Sequence, residues 1–143
     1  MESYTPERVI SGTQGEVWID GFYMAEVTGC EAKMTLKKQE VNQVKVMGGG
    51  QKVIGVEGKG TVKFNKVSSH MLVKLAESIK AGKTATATII SKLDDPDAYG
   101  VERVALNNCV FDEVTLVDWE AGKLGEESYS FTFSDFELLD TIA

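Results

Sequence analysis

Residues 56–64, VEGKGTVKF, alternate without a break. Val56, Gly58, Gly60, Val62 and Phe64 fall on one side; Glu57, Lys59, Thr61 and Lys63 fall on the other. A period of two is the pattern of a β-strand with one face turned to a core, and it recurs over most of the chain. Glycine at two inward positions leaves that face short of side-chain volume. Such a strand needs an aromatic ring or another backbone to come close, or it must bend.

The same period runs through GEVWIDGFYMAEVTGCEAKMTLKKQEV (15–41), where Asp20-Gly21 separates two strand-like runs and predicts a hairpin turn. Beyond it Phe22, Met24, Cys30, Ala32, Met34 and Leu36 share a face, interrupted by Glu26 and Thr28. Lys33, Thr35 and Lys37 take the other face. Strand character returns in TATATIISKL (84–93), ERVALNNCVFDEVTLVDWE (102–120) and EESYSFTFSDFELL (126–139). In the last of these Tyr129, Phe131 and Phe133 are in phase, and Phe136 and Leu138 are out of it, which predicts a bulge near Ser134-Asp135. Asn107-Asn108 marks a similar slip.

One segment departs from this period. SSHMLVKLAESIKAGK (68–83) has Met71, Leu72, Leu75, Ala76 and Ile79 at helical spacing, Ser68 or Ser69 to open it and Gly82 beside Lys80 and Lys83 to close it. The spacing predicts a helix over about 68–81 with one apolar stripe, lying on a sheet or plugging the end of a barrel. Strands and helices do not alternate, so Rossmann and P-loop architectures are excluded. The expectation is a mainly β protein: an antiparallel β-sandwich or barrel with one flanking α-helix. A single domain over 1–143 carries an extended hairpin arm at about 42–55.

A chain of 143 residues suits one hydrophobic core. No apolar run approaches the roughly 18 residues that would span a bilayer, so no membrane anchor is expected. The opening MESYTPERVI, with Glu2 and Glu7, lacks the apolar core of a signal peptide. Cys30 and Cys109 both fall in apolar strand-like sequence, where free cysteine behaves as a small buried hydrophobe; a disulfide between them is the lesser alternative. Manufacture in the cytoplasm is the expectation.

A net charge of −7 argues against a general DNA-coating protein. Its distribution is uneven. Residues 1–92 carry 13 basic and 9 acidic side chains, whereas residues 93–143 carry only Arg103 and Lys123 against 13 acids. Two readings follow: a solvated acidic surface, or a polarised subunit whose basic face meets the acidic face of the next copy.

Candidates for chemistry are few. His70 is the only histidine, which excludes a metal site built on two, and it sits in the first turn of the helix. Ser68 and Ser69 read as cap residues rather than a nucleophile, since no third group accompanies them. Asp94, Asp95 and Asp97 in LDDPDAYG (93–100) could wrap a hard cation, but the loop lacks the sixth-position glycine and closing glutamate of an EF-hand. A stand-alone β-sandwich binding calcium or carbohydrate through this loop is therefore the alternative function. Asp112/Glu113 and Asp118/Glu120 read as solvated strand ends. No catalytic residue, cofactor or metal site is assigned, and the chain is not expected to be an enzyme.

The stretch NQVKVMGGGQKVI (42–54) invites a phosphate-loop reading and fails it. Lys52 follows Gln51 rather than a glycine, Val53 stands where GxGxxG needs its third glycine, and the stretch leads into a strand instead of a helix N-terminus. A linker is also disfavoured, because the flanking strands belong to one pattern. A long arm remains, with Val44, Val46, Met47, Val53 and Ile54 as apolar members that water alone does not explain. Gly48, Gly49 and Gly50 would let it hinge through positive φ. These eight residues are the candidate contacts between subunits; a merely long and flexible loop is the competing reading.

The segments SGTQGEVWIDG (11–21), TIISKLDDPDAYGVERVAL (88–106) and FTFSDFELLD (131–140) resemble the core tail tube protein of PBSX-type phage-like elements, the XkdM-like family. That family includes tube proteins of contractile phage tails and of R-type bacteriocins such as diffocins. The resemblance runs from about Ser11 to Asp140 and rests on structural segments. It implies a β-sandwich or barrel with a flanking helix, assembling into hexameric rings that stack head-to-tail as a hollow conduit. It implies self-association through the arm and the N-terminal segment. It also implies a contractile sheath protein and tail initiator or baseplate proteins as partners, DNA passing through the lumen without specific binding, and a final place in a phage tail or tail-like particle. An acidic lumen would repel nucleic acid rather than hold it.

Overall fold

The computed structural model describes residues 3–45 and 47–142. Two single-turn 3-10 helices, Pro6–Arg8 and Gly12–Gln14, lead into β1 (Gly15–Ile19), β2 (Phe22–Tyr23), β3 (Val27–Val41) and β4 (Gly50–Asn65). Helix α1 (His70–Lys80) follows, then β5 (Thr86–Leu93), β6 (Glu102–Phe111), β7 (Glu126–Phe133) and β8 (Asp135–Asp140). The strands form a single antiparallel sheet in the order β2-β1-β5-β6-β7-β4-β3, with β8 also pairing β6. The mainly β architecture with one helix is the one expected.

The predicted turn at Asp20-Gly21 joins β1 to β2. Both residues have positive φ, 52° and 80°, as a two-residue hairpin requires. The Asp20 carboxylate accepts from the Thr88 amide at 2.8 Å and pairs with Lys74 of α1, so this turn also ties the sheet to the helix. Ser69 occupies the N-cap position without its hydroxyl capping; its carbonyl accepts from the Val73 amide. At the other end Gly82 adopts φ 67° and donates to the Ile79 carbonyl, closing the helix as predicted.

The core lies inside the curl of the sheet. Val17, Ile19, Ala87, Ile89, Leu106 and Cys109 come from β1, β5 and β6, and face Val62, Phe64, Tyr129 and Phe131 of β4 and β7. Met71 and Leu75 of α1 complete it. Phe64 stacks on Tyr129 with centroids 5.5 Å apart, and Phe111 meets Phe131 edge-on at 5.9 Å. The glycine pair in β4 has the expected cause. Gly58 is paired with Phe133 and Gly60 with Phe131, and the phenylalanine rings lie where the missing Cβ atoms would be.

Both predicted phase slips occur, and they lie opposite each other. Asn108 has φ 55°, its side-chain amide donates to the Ser134 hydroxyl at 3.2 Å, and the β5–β6 register shifts beside it. The chain from Glu126 to Asp140 thereby leaves β4 at Phe133 and continues as β8 along β6.

Three expectations are corrected. The strand read over 102–120 ends at Phe111; residues 112–125 are loop, because Asp112 and Glu113 lead the chain out of the sheet and the valines that follow find no partner strand. Cys30 is exposed while Cys109 is buried, and both are free. Burial pushes the Cys109 thiol up to about 11. The alternating face of β3 is also not covered along its length, for Leu36 is half exposed.

A Cβ at position 60 would stand 2.7 Å from the Glu31 carbonyl oxygen and against the Phe131 ring. Gly60→Ala is therefore expected to lower unfolding free energy by about 1–3 kcal/mol in urea titrations. Gly55→Ala, whose Cβ would meet only the Lys37 side chain at 3.8 Å, should cost far less.

Candidate assembly surfaces

β4 is paired with β7 only from Gly58 to Asn65, whereas its pairing with β3 continues to Val41↔Gly50. Residues 35–41 and 50–57 therefore form a two-stranded ribbon that leaves the sheet. Seven and eight residues at about 3.3 Å each give a projection of about 25 Å. Within the arm expected at about 42–55, residues 50–55 are strand, and the described residues 42–45 and 47–49 lie between the two strands.

Antiparallel pairing puts opposed residues on the same face. One face of the hairpin runs from Cys30↔Val62, where Val62 belongs to the core, through Ala32↔Gly60 and Met34↔Gly58 to Leu36↔Val56. Val53, opposite Lys38, continues it beyond a bulge that leaves Ile54 unpaired. The core face thus runs past the core, and Leu36, Val53 and Val56 are about half exposed. The reverse face carries Lys33 directly opposite Lys59, each drawing a glutamate of its own strand, Glu31 and Glu57. Like charges so opposed are unfavourable within one molecule.

At the tip Val44 is 90% and Met47 fully exposed. Val46 lies outside the described residues. The glycines do not act as the sequence suggested. Among the described residues of the arm the positive φ belongs to Lys45 at 66°, and Gly48, Gly49 and Gly50 lie outside that region. A Cβ at Gly49 would stand 2.8 Å from a Glu40 carboxylate oxygen and 3.1 Å from the Val41 carbonyl. In this conformation Gly49 allows a close approach of the chain to Val41 and Glu40.

The N-terminal segment is held by the 93–100 loop. The Ser11 amide donates to Asp95 Oδ2 at 2.8 Å, the Asp97 amide to Oδ1 at 3.0 Å, and the Arg8 guanidinium lies 3.8 Å above the Tyr99 ring. Asp95 thus spends both oxygens on backbone amides, first that of Ser11 and then that of Asp97, and these hold its carboxyl below the usual range. The aspartates that the alternative reading would turn to a cation or a sugar do not converge. Among the described residues no group of three or more His, Cys, Asp or Glu side chains could hold a metal ion.

A second exposed surface was missed in the sequence. Loop 112–125 displays Leu116, Val117, Trp119 and Leu124, with Trp119 82% and Leu124 94% exposed. The misread strand end concealed it; Gly122, with φ 83°, was the available sign of a turn.

These features describe a strand-rich subunit whose apolar groups lie on projecting elements rather than in a catalytic cleft. The chain belongs to the phage tail tube protein family, which matches residues 2–140. It is 33% identical over 140 residues to the phage-like element PBSX protein XkdM of Bacillus subtilis (strain 168), covering 96% of this chain and 95% of that one. The fold is shared with a solved chain of the PVC sheath-tube complex of an extracellular contractile injection system in its extended state. There the TM-score is 0.74 at 9% identity, over 97% of this chain and 100% of the other. A chain of the six-fold symmetrised anti-feeding prophage baseplate superposes with TM-score 0.66 at 12% identity, over 87% and 90% of the two chains. The resemblance drawn from residues 11–21, 88–106 and 131–140 is borne out.

Asp95 generates a pH prediction. Its carboxyl is depressed in the folded state, so the stabilisation is present above the ordinary value of 3.8 and lost as pH falls through the lower folded value. Hydrogen exchange at the Ser11 amide should accelerate in that acid window. Asp95→Ala should show the faster exchange already at neutral pH.

Proposed function

We propose that this chain is the repeating subunit of the inner tube of a contractile phage-tail-like particle. Copies join into rings of six, and the rings stack head-to-tail around a hollow conduit that nucleic acid can traverse without being bound. A contractile sheath surrounds the tube, and baseplate proteins start it. The role is mechanical, with no reaction catalysed. The subunit is made in the bacterial cytoplasm and ends as a component of a tail or tail-like particle.

The observation that carries this reading is the ribbon formed by 35–41 and 50–57. Its apolar face is continuous with the core and has nothing over it in the isolated subunit. Full burial of an aliphatic side chain contributes about 1.5–3 kcal/mol. Leu36, Val53 and Val56, being half covered already, offer about 1 kcal/mol each on assembly. The candidate contacts Val44, Met47, Gly48, Gly49, Gly50, Val53 and Ile54, together with Val46, are proposed to pack on a neighbouring copy.

Electron microscopy of the purified protein at rising concentration should show hollow rings or tubes. Amides of 44–54 should exchange at least tenfold more slowly in tubes than in the monomer. Equal exchange in the two states would remove the arm from the interface, and a protein that stays monomeric alongside its sheath and baseplate proteins would overturn the reading.

A further inference from the structure

Loop 112–125 is fixed at both ends and bare between them. At its start the Asp112 amide donates to the Ser130 carbonyl at 2.9 Å, and Val114 packs against the core. At its end the Gly125 carbonyl accepts from the Lys66 amide at 2.8 Å, and Lys66 Nζ reaches the buried Glu127 carboxylate at 2.6 Å. Between these anchors Leu116, Val117, Trp119 and Leu124 stand in solvent. Tryptophan is among the residues most enriched where protein interfaces draw their binding energy, and large apolar side chains exposed together on one loop mark a docking surface.

Charge selects what covers it. Asp112, Glu113 and Asp118 make no ion pair among the described residues; Lys123, the loop's only cation, is taken by Glu120 at 3.0 Å. The partner must therefore be apolar and carry uncompensated positive charge. On this chain one element answers. Lys37, Lys38, Lys45, Lys52 and Lys63 of the β3–β4 hairpin form no ion pair among the described residues, and the first four lie in its outer half with Val44, Met47 and Val53. Outside the hairpin only Lys80 and Lys83 among the lysines share that condition.

Geometry makes the contact intermolecular. The loop adjoins the root of β4, where Asn65 pairs with Glu126, and the tip begins at Gly50. A strand of 16 residues separates these ends by about 50 Å. One molecule cannot bring them together.

We infer that the apolar, acidic loop 116–124 is the seat for the basic hairpin tip of a second copy of this chain. Each subunit then offers a tip at one end and a seat at the other, a heterologous contact that propagates without closing. This rests on the tube reading above and names the surface that receives the arm.

The test uses full-length chain with Cys30→Ser, so that only introduced thiols react at the surface. Met47→Cys and Asp118→Cys are placed in the same chain, assembled and treated with a short bifunctional maleimide. A ladder of covalent multimers is expected, whereas either single variant stops at a dimer. A second measurement reverses charge: Lys45→Glu with Lys52→Glu should raise the concentration needed for tubes at least tenfold. Adding Asp118→Lys and Glu120→Lys to that chain should restore it to within about threefold. Tubes that form without a ladder and without charge rescue would overturn the inference and leave the tube reading standing, with the loop assigned to another partner. Failure of the wild-type chain to form tubes even alongside its sheath and baseplate proteins would overturn the tube reading itself.

Discussion

Gly58 and Gly60 lie under Phe133 and Phe131, and this contact sets the register of β4 against β7. Much else follows from it. Because β7 stops supporting β4 at Gly58, the remainder of β4 has only β3 to pair with, and a ribbon must leave the sheet. Because β7 begins opposite Asn65, the loop that precedes it is delivered to the opposite end of the same strand. A glycine-for-phenylalanine exchange in the core thus fixes the length of the arm and the position of the surface proposed to receive it.

The arm also illustrates how a subunit can carry an apolar surface on a projecting element. A two-stranded ribbon alone is marginal in water. This one is rooted in a core and continues that core's apolar face outward. Its other face is dense with lysine, which discourages edge-to-edge pairing with unrelated strands. The cost is borne in the isolated subunit, where Lys33 stands against Lys59 and half of Leu36 meets water.

Local rules were legible in the sequence wherever one residue type answers one local need. Asp20-Gly21 made its turn, Gly82 ended its helix, and the glycines of β4 met aromatic rings. The opposed slips at Asn107-Asn108 and Ser134-Asp135 were visible as changes of phase. What could not be read was where pairing stops, since that depends on strands distant in sequence. Residues 114–119 have strand-forming composition but no partner, so they became loop. Residues 50–55 resemble a loop but face 37–41, so they became strand. Gly49 was read as a hinge because glycine permits positive φ; its neighbour Glu40, brought close only by the hairpin, gives it a different task. Asp95 was legible as part of a structural loop, but its partner Ser11, 84 residues away, was not.

The uneven charge acquires a geometric meaning in this structure. A tail-like tube must grow in one direction, so its subunit must refuse symmetric pairing as firmly as it accepts the directional one. Two hairpins brought face to face would oppose lysine to lysine, and two 112–125 loops would oppose carboxylate to carboxylate, so each like-with-like contact is penalised. Tip against seat is the remaining combination, and it joins opposite charges as it buries Trp119 and Met47. Apolar area alone would favour all three contacts about equally. Discrimination comes from placing the lysines of the hairpin's outer half and the carboxylates of loop 112–125 at opposite ends of one long strand.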